Sequence, residues 1–254
     1  MVIVTTPDKP KGRGLSLAPT VVKIWANENK IPVLDPAKLD DAFLEQIKKY
    51  DCEVFIVASY GKIIPEKVLD AAPKKTLNVH PSLLPKYRGA TPIQSAMLDD
   101  AKDTGVTIIR LDKEMDHGPI IAQENLHFEE WPTYEETEEK LGRVGGELMA
   151  KVLPLWVEGK INEKEQGHAS ATFTKKISKE DAALDLTGNQ YSNFRKIQAY
   201  HGSPGTYFFA NKGAKKIRVK ITSASFKSGK LEIERVTPEG KKEMPYRDFL
   251  AGLR

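Results

Sequence analysis

The sequence holds one cysteine, Cys52, in 254 residues. That excludes an internal disulfide and suits a reducing compartment, with Cys52 as a structural thiol beside the apolar run "EVFIVA". No apolar run approaches the roughly 18 residues of a membrane-spanning helix, and no signal-peptide pattern opens the chain. A cytoplasmic protein without a membrane partner is expected. Internal repeats and low-complexity tracts are missing. Metal-ligand spacings and phosphate-cradling glycine motifs are missing too, so no metal is expected. What remains is globular in composition: 40% hydrophobic, 29% charged, with 18 Gly and 16 Pro spread out.

The net charge of +4 is unevenly distributed. From Lys164 onward there are 18 Lys and Arg against 9 Asp and Glu, so the rest of the chain is acidic on balance. A basic end suits either a polyanion or a solvated lysine-rich surface, and charge alone does not separate the two.

Local patterns divide the chain in the same place. Up to about residue 160, short apolar runs alternate with helical periodicity: strands at "MVIVTT", "IPVL", "CEVFIVASY" and "KTLNVH", helices at "APTVVKIWANENK", "DDAFLEQIKKY", "PEKVLDAA" and "ATPIQSAMLDD". The run "CEVFIVASY" reads as a strand buried on both faces. Alternation of this kind predicts an α/β domain with a mostly parallel sheet. Two more strands, "DTGVTIIRLD" and "GPIIAQENLHF", precede a long helix from about Thr133 to Glu158. Its predicted core stripe is Leu141, Leu148, Val152 and Leu155. Beyond it, short alternating strands predict a small β-barrel. The expected domains are 1–165 and 166–254.

In "TLNVHP", residues two apart share a face of an extended strand. Asn78 and His80 then project together, while Leu77 and Val79 pack behind them. Pro81 biases His80 toward β geometry. Ligands of open α/β sheets bind at the carboxyl ends of strands. An amide N–H there can stabilise a carbonyl oxygen turning anionic, and an imidazole can move a proton near neutral pH. Two downstream aspartates, Asp112 and Asp116, are candidates to complete the set.

The segments "LNVHPSLLPKYRGATPIQ" and "DTGVTIIRLDKEMDHGPIIAQE", with "TTPDKPKGRG" and "TFTKKISKEDAALDL", resemble the folate-dependent formyltransferases, most of all those acting on methionyl-tRNA. The likeness covers nearly the whole chain. It implies a Rossmann-like catalytic domain followed by a basic OB-like barrel. It also implies formyl transfer from 10-formyltetrahydrofolate to the α-amino group of initiator methionyl-tRNA in translation initiation. The family's catalytic Asn, His and Asp fall on Asn78, His80 and Asp116. The folate-contacting segment falls on Ser82, Leu83, Leu84 and Pro85. The tRNA-contacting loop falls on "PDKPKGRGLSLAP", with Lys9, Lys11 and Arg13. The barrel would add Lys216 and Arg218. The loop itself, rich in Lys, Gly and Pro without apolar periodicity, is expected to be irregular. A monomer is expected.

The resemblance has a gap. The family's usual first strand and helix have no counterpart before "MVIVTT", and the chain stops at "YRDFLAGLR" where relatives continue. Since the first strand is central in such sheets, unpaired strand edges are expected. Two alternatives share the Asn–His–Asp set or the basic domain: a formyltransferase for an amino sugar or purine-precursor amine, and a non-catalytic RNA-binding relative.

Overall fold

The computed structural model describes residues 1–11, 16–213 and 215–253. The first eighty residues contain strands β1 (Ile3–Val4), β2 (Lys9–Lys11), β3 (Ser16–Ala18), β4 (Val33–Leu34), β5 (Phe55–Ala58) and β6 (Thr76–His80). Helices α1 (Val21–Glu28), α2 (Asp41–Lys48) and α3 (Glu66–Leu69) lie between them in sequence. Then come α4 (Pro92–Leu98), β7 (Asp103–Arg110), β8 (Ile120–His127) and α5 (Tyr134–Val157). The last part holds α6 (Gln190–Ala199), β9 (Tyr207–Lys212), β10 (Lys215–Lys227), β11 (Lys230–Pro238), β12 (Met244–Pro245) and α7 (Tyr246–Ala251). Among the described residues no helix is long and apolar enough to cross a membrane.

The chain forms two compact units from interleaved segments. The first comprises Met1–His80, Ile108–Ala122 and Met149–Gln166; the second comprises Pro81–Thr107, Gln123–Leu148 and Gly167–Arg254.

In the first unit, helix starts follow side-chain chemistry. Thr20 caps α1 by accepting the Lys23 N–H, and Asp40 caps α2 by accepting the Phe43 N–H. Phe43, Ile47 and Val68 form a core against Val4, Leu34 and Phe55. β1 pairs in parallel with β4, and β5 in parallel with β6. The strands β5-β6-β7-β8 form one sheet in that order, and β1-β4 is a separate two-stranded ladder.

Three sequence expectations are corrected. β5 is not buried on both faces: as the edge strand of its sheet it half-buries Phe55 and Val57 and leaves the apolar Ile56 and Ala58 exposed. In α5, Leu141, Leu148 and Val152 are buried but Leu155 is 44% exposed. There the inward face passes from Val152 to Trp156, four residues on, whose indole N–H donates to Lys74 O at 2.8 Å. The basic N-terminal segment is not wholly irregular, since β2 and β3 pair antiparallel with Lys9 opposite Ala18 and Lys11 opposite Ser16. Backbone pairing supplies an order that the residue types do not announce.

The second unit ends in a four-stranded antiparallel sheet, order β12-β11-β10-β9. A barrel was expected; the described ladders form a sheet in which β9 and β12 are the edges. Its core joins Leu184, Ile197, Phe208, Val219, Ile221, Val236 and Phe249, drawing on α6 and α7. Phe208 meets Tyr246 and Phe249 edge to face at 6.1 and 6.2 Å. Truncating it removes a buried ring from the centre of that cluster. Phe208→Ala should cost about 3–5 kcal/mol, read as a lower urea midpoint with helix α6 still present at zero denaturant.

Candidate active site

The strand β6 shows why a buried pair of polar side chains is tolerable here. Thr76 donates its hydroxyl to Leu69 O at 2.8 Å, and its own carbonyl accepts from Leu111 N at 2.8 Å. Leu77 is fully buried on the packed face, with Val79 half-buried beside it in the alternation. Asn78 and His80 share the opposite face, 9% and 4% exposed. Groups this buried need partners.

His80 has one in Asp116. The imidazole Nδ1 lies 3.6 Å from Asp116 Oδ1, with both side chains largely buried. The competing aspartate is otherwise engaged: Asp112 accepts from Glu114 N at 2.9 Å and lies 2.8 Å from His117 Nδ1. The structure thus brings Asn78, His80 and Asp116 into one unit and separates the two aspartate candidates by their partners.

Asp116 sits in a constrained turn. Its φ is +50°, a left-handed conformation uncommon for a residue with a side chain. The turn is held by Gln166, which sequence reasoning missed. Its side-chain amide donates to Asp116 O at 2.9 Å and to Gly118 O at 2.7 Å, and the residue is 4% exposed. Gly118 itself admits no side chain, because a Cβ there would overlap the Arg110 carbonyl. Arg110 closes the base of the turn by donating its N–H to Pro119 O, while its guanidinium grips Glu163 through two bonds of 2.7 and 2.9 Å.

The segment Ser82–Pro85 belongs to the second unit. Ser82 is fully buried and donates to Lys86 O at 2.7 Å. Thr107 organises the rest: its hydroxyl donates to Ser82 O at 2.6 Å and accepts from Leu84 N at 3.1 Å. Gln123 adds donations to that hydroxyl and to Leu84 O, both at 2.9 Å. The Leu84 backbone N–H and C=O are therefore both partnered within the protein. Leu84 is also 3% exposed and packs as core, whereas Leu83 and Pro85 are half-buried. Thr107 had one sequence signal, a hydroxyl within the apolar run "GVTII". Nearby, burial and Asp99 push the Tyr87 phenol up to about 12.

Of the basic positions, Lys9 is exposed on β2, and Lys11 lies in the same strand. Arg13 falls outside the described residues. Lys216 and Arg218 are exposed on β10, over the rings of Phe209 and Tyr207 respectively.

Residues 1–153 match the family model described as formyl transferase. Methionyl-tRNA formyltransferase from Thermotoga neapolitana is 42% identical over 82% of this chain and 67% of its own length. The same enzyme from Dictyoglomus turgidum is 35% identical over the whole of this chain and 89% of its own. Two solved structures share the fold. One is methionyl-tRNA formyltransferase from Clostridium thermocellum (TM-score 0.67, 17% identity, 96% of this chain and 98% of that one). The other is HypX from Aquifex aeolicus in complex with tetrahydrofolic acid (TM-score 0.70, 16% identity, 100% of this chain and 47% of that one). The chain belongs to the formyltransferase family. The relatives that match it along most of its length are methionyl-tRNA formyltransferases.

The Thr107 hydroxyl serves three backbone or side-chain partners at once, and valine would leave all three without it. Thr107→Val should lower stability by about 1–3 kcal/mol in urea titration, and Thr107→Ser should recover most of the loss.

Proposed function

We propose that the protein transfers a formyl group from 10-formyltetrahydrofolate to the α-amino group of methionine on initiator methionyl-tRNA. The observation that carries this reading is the buried His80–Asp116 pair beside Asn78 in a chain of this family. In the reaction the amine attacks the formyl carbon, a C–N bond forms and the carbonyl oxygen becomes negative. Collapse of that intermediate breaks the bond to the folate nitrogen. Asn78 holds the developing oxyanion through its amide N–H. His80 takes the proton the amine must lose and returns one to the leaving nitrogen. Asp116 fixes the ring's orientation, and Gln166 fixes Asp116 by holding its turn.

Residues 1–165 form the catalytic domain in this reading, and 166–254 an OB-like tRNA-binding domain. Ser82, Leu83, Leu84 and Pro85 shape the pterin side of the folate pocket, Leu83 by contact and Leu84 as the packed layer behind it. Lys9, Lys11, Arg13, Lys216 and Arg218 meet RNA phosphates. The family's description as formyl transferase and the tetrahydrofolic acid named with HypX support the co-substrate. The tRNA named for the relatives and the basic C-terminal excess support the acceptor.

The test is formyl incorporation into methionyl-tRNA, with an amino sugar and free methionine as competing acceptors. Transfer to the amino sugar in preference to the tRNA would overturn the acceptor assignment. Asn78→Ala, His80→Ala and Asp116→Ala should each lower kcat by about a hundredfold or more while far-UV circular dichroism is unchanged. Gln166→Met keeps the volume and removes the donor, and should lower kcat about tenfold with KM for either substrate nearly constant. In an Asp116→Asn background the same change should add little, since residues acting as one unit are not additive. Equal losses in both backgrounds would show that Gln166 does not act through Asp116.

A further inference from the structure

The outward face of the β9–β10 pair carries more than phosphate neutralisation requires. Along β9, Phe208 turns into the core while Tyr207 and Phe209 face the other way. Along β10, Ile217, Val219 and Ile221 pack inward, and Lys216, Arg218 and Lys220 alternate with them. The register sets Arg218 opposite Phe209 and Lys220 opposite Tyr207. Cations and rings are therefore interleaved on one face. Lys216 Nζ is 4.6 Å from the Phe209 centroid, Arg218 Cζ is 5.4 Å from that of Tyr207, and the rings meet edge to face at 5.6 Å. Phe209 is nonetheless 51% exposed.

Beside the rings lies a cavity of about 260 Å³, lined by Lys179, Ser203, Gly205, Tyr207, Arg218 and Lys220. It is smaller than the roughly 300–1,000 Å³ of typical small-molecule pockets and suits one phosphate better than a whole nucleotide. Gly205, at φ +77°, brings the turn so close to Lys220 that a Cβ would overlap the lysine stem. Lys220 in turn donates to Gly202 O at 3.2 Å, which fixes its ammonium at the cavity wall. Elsewhere in this sheet a cation is neutralised, Arg235 pairing with Glu243 at 2.9 Å. Among the described residues no carboxylate lies within 4.0 Å of the charged ends of Lys179, Arg218 or Lys220.

We propose that this face is a stacking platform for an unpaired stretch of RNA, with a base against Phe209 and the adjoining phosphate in the cavity on Arg218 and Lys220. The inference takes from the proposed function only that the acceptor is an RNA. A duplex offers phosphates and 2′-hydroxyls but hides its base faces, so it would use the cations and leave the rings idle. An unpaired strand uses both, and stacking tolerates any base. An acidic peptide would satisfy the charges and also leave the rings idle.

The experiment is equilibrium binding to the full chain, read by fluorescence anisotropy of a labelled unstructured RNA of about eight nucleotides, within the site sizes of such platforms. The competitors are an A-form duplex of the same sequence, an abasic strand with the same phosphates, and a polyglutamate of equal charge. The intact single strand should bind tighter than all three. Phe209→Ala should weaken it at least about fivefold without changing the slope of log K against log salt. Arg218→Gln and Lys220→Gln should each flatten that slope by about 0.7. Should Phe209→Ala disturb the sheet, Phe209→Leu and the abasic strand ask the same question without it. Equal binding of the abasic strand, the duplex or the peptide overturns the proposal, as does no binding at all. Formyl transfer is measured separately: an inactive chain with the single-strand preference removes the proposed function alone. An active chain indifferent to Phe209 removes the platform alone.

Discussion

A polar group taken out of water must find a partner inside the protein, and two short segments of this chain are shaped by that requirement. An unpartnered buried carbonyl or amide costs about 1–3 kcal/mol, a large fraction of a domain's net stability. In the first unit the exposed-water partners of Asp116 O and Gly118 O are replaced by one amide, Gln166. In the second, Ser82 O and the Leu84 backbone are served by Thr107 and Gln123. Each arrangement fixes backbone that regular secondary structure does not reach. A carboxylate 3.6 Å from an imidazole orients it only while its own turn stays put, so the clamp on Asp116 is a condition of the chemistry proposed for His80.

β6 shows the same economy at the level of the sheet. It is an interior strand, flanked by β5 and β7, and its residues are buried nearly throughout. Exposure falls instead on β5, where Ile56 is 46% exposed, and on α1, where Val21 and Trp25 are 80% and 52% exposed. Edge strands and thinly covered helices open most readily. The strand bearing Asn78 and His80 is thus buried although its neighbour β5 is not, and local opening at β5 need not release the ladder to β7.

Much of this was legible in the residues. The two-residue spacing of Asn78 and His80 survived into structure because alternation in a buried strand leaves no freedom: a slip by one residue would turn both side chains over. The helices over "APTVVKIWANENK" and "DDAFLEQIKKY" were expected, and the structure adds the caps that start them, Thr20 and Asp40. The choice of aspartate was not local. Residue types alone left Asp112 and Asp116 open, the family resemblance pointed to Asp116, and in the structure their partners differ, His117 for one and His80 for the other. Gln166 was invisible for a related reason. An amide in the charged run "NEKEQGH" reads as surface until the fold sets it against a turn fifty residues earlier.

The basic C-terminal region marks the limit of composition as a guide. An excess of nine positive charges is equally consistent with a solvated surface and with a polyanion site. Register separates these readings, because it states which cations share a face and with what. Lys215 and Lys216 are neighbours in sequence, yet alternation gives them opposite sides of β10. Among the described residues of β10, Lys216, Arg218 and Lys220 are the cations that fall with Tyr207 and Phe209. A surface selected for solubility gains nothing from a half-exposed phenylalanine set among three cations. A surface that holds an unpaired nucleotide needs both a flat apolar ring for the base and fixed positive charge for the phosphate, and here the pleat of two strands puts them on the same side.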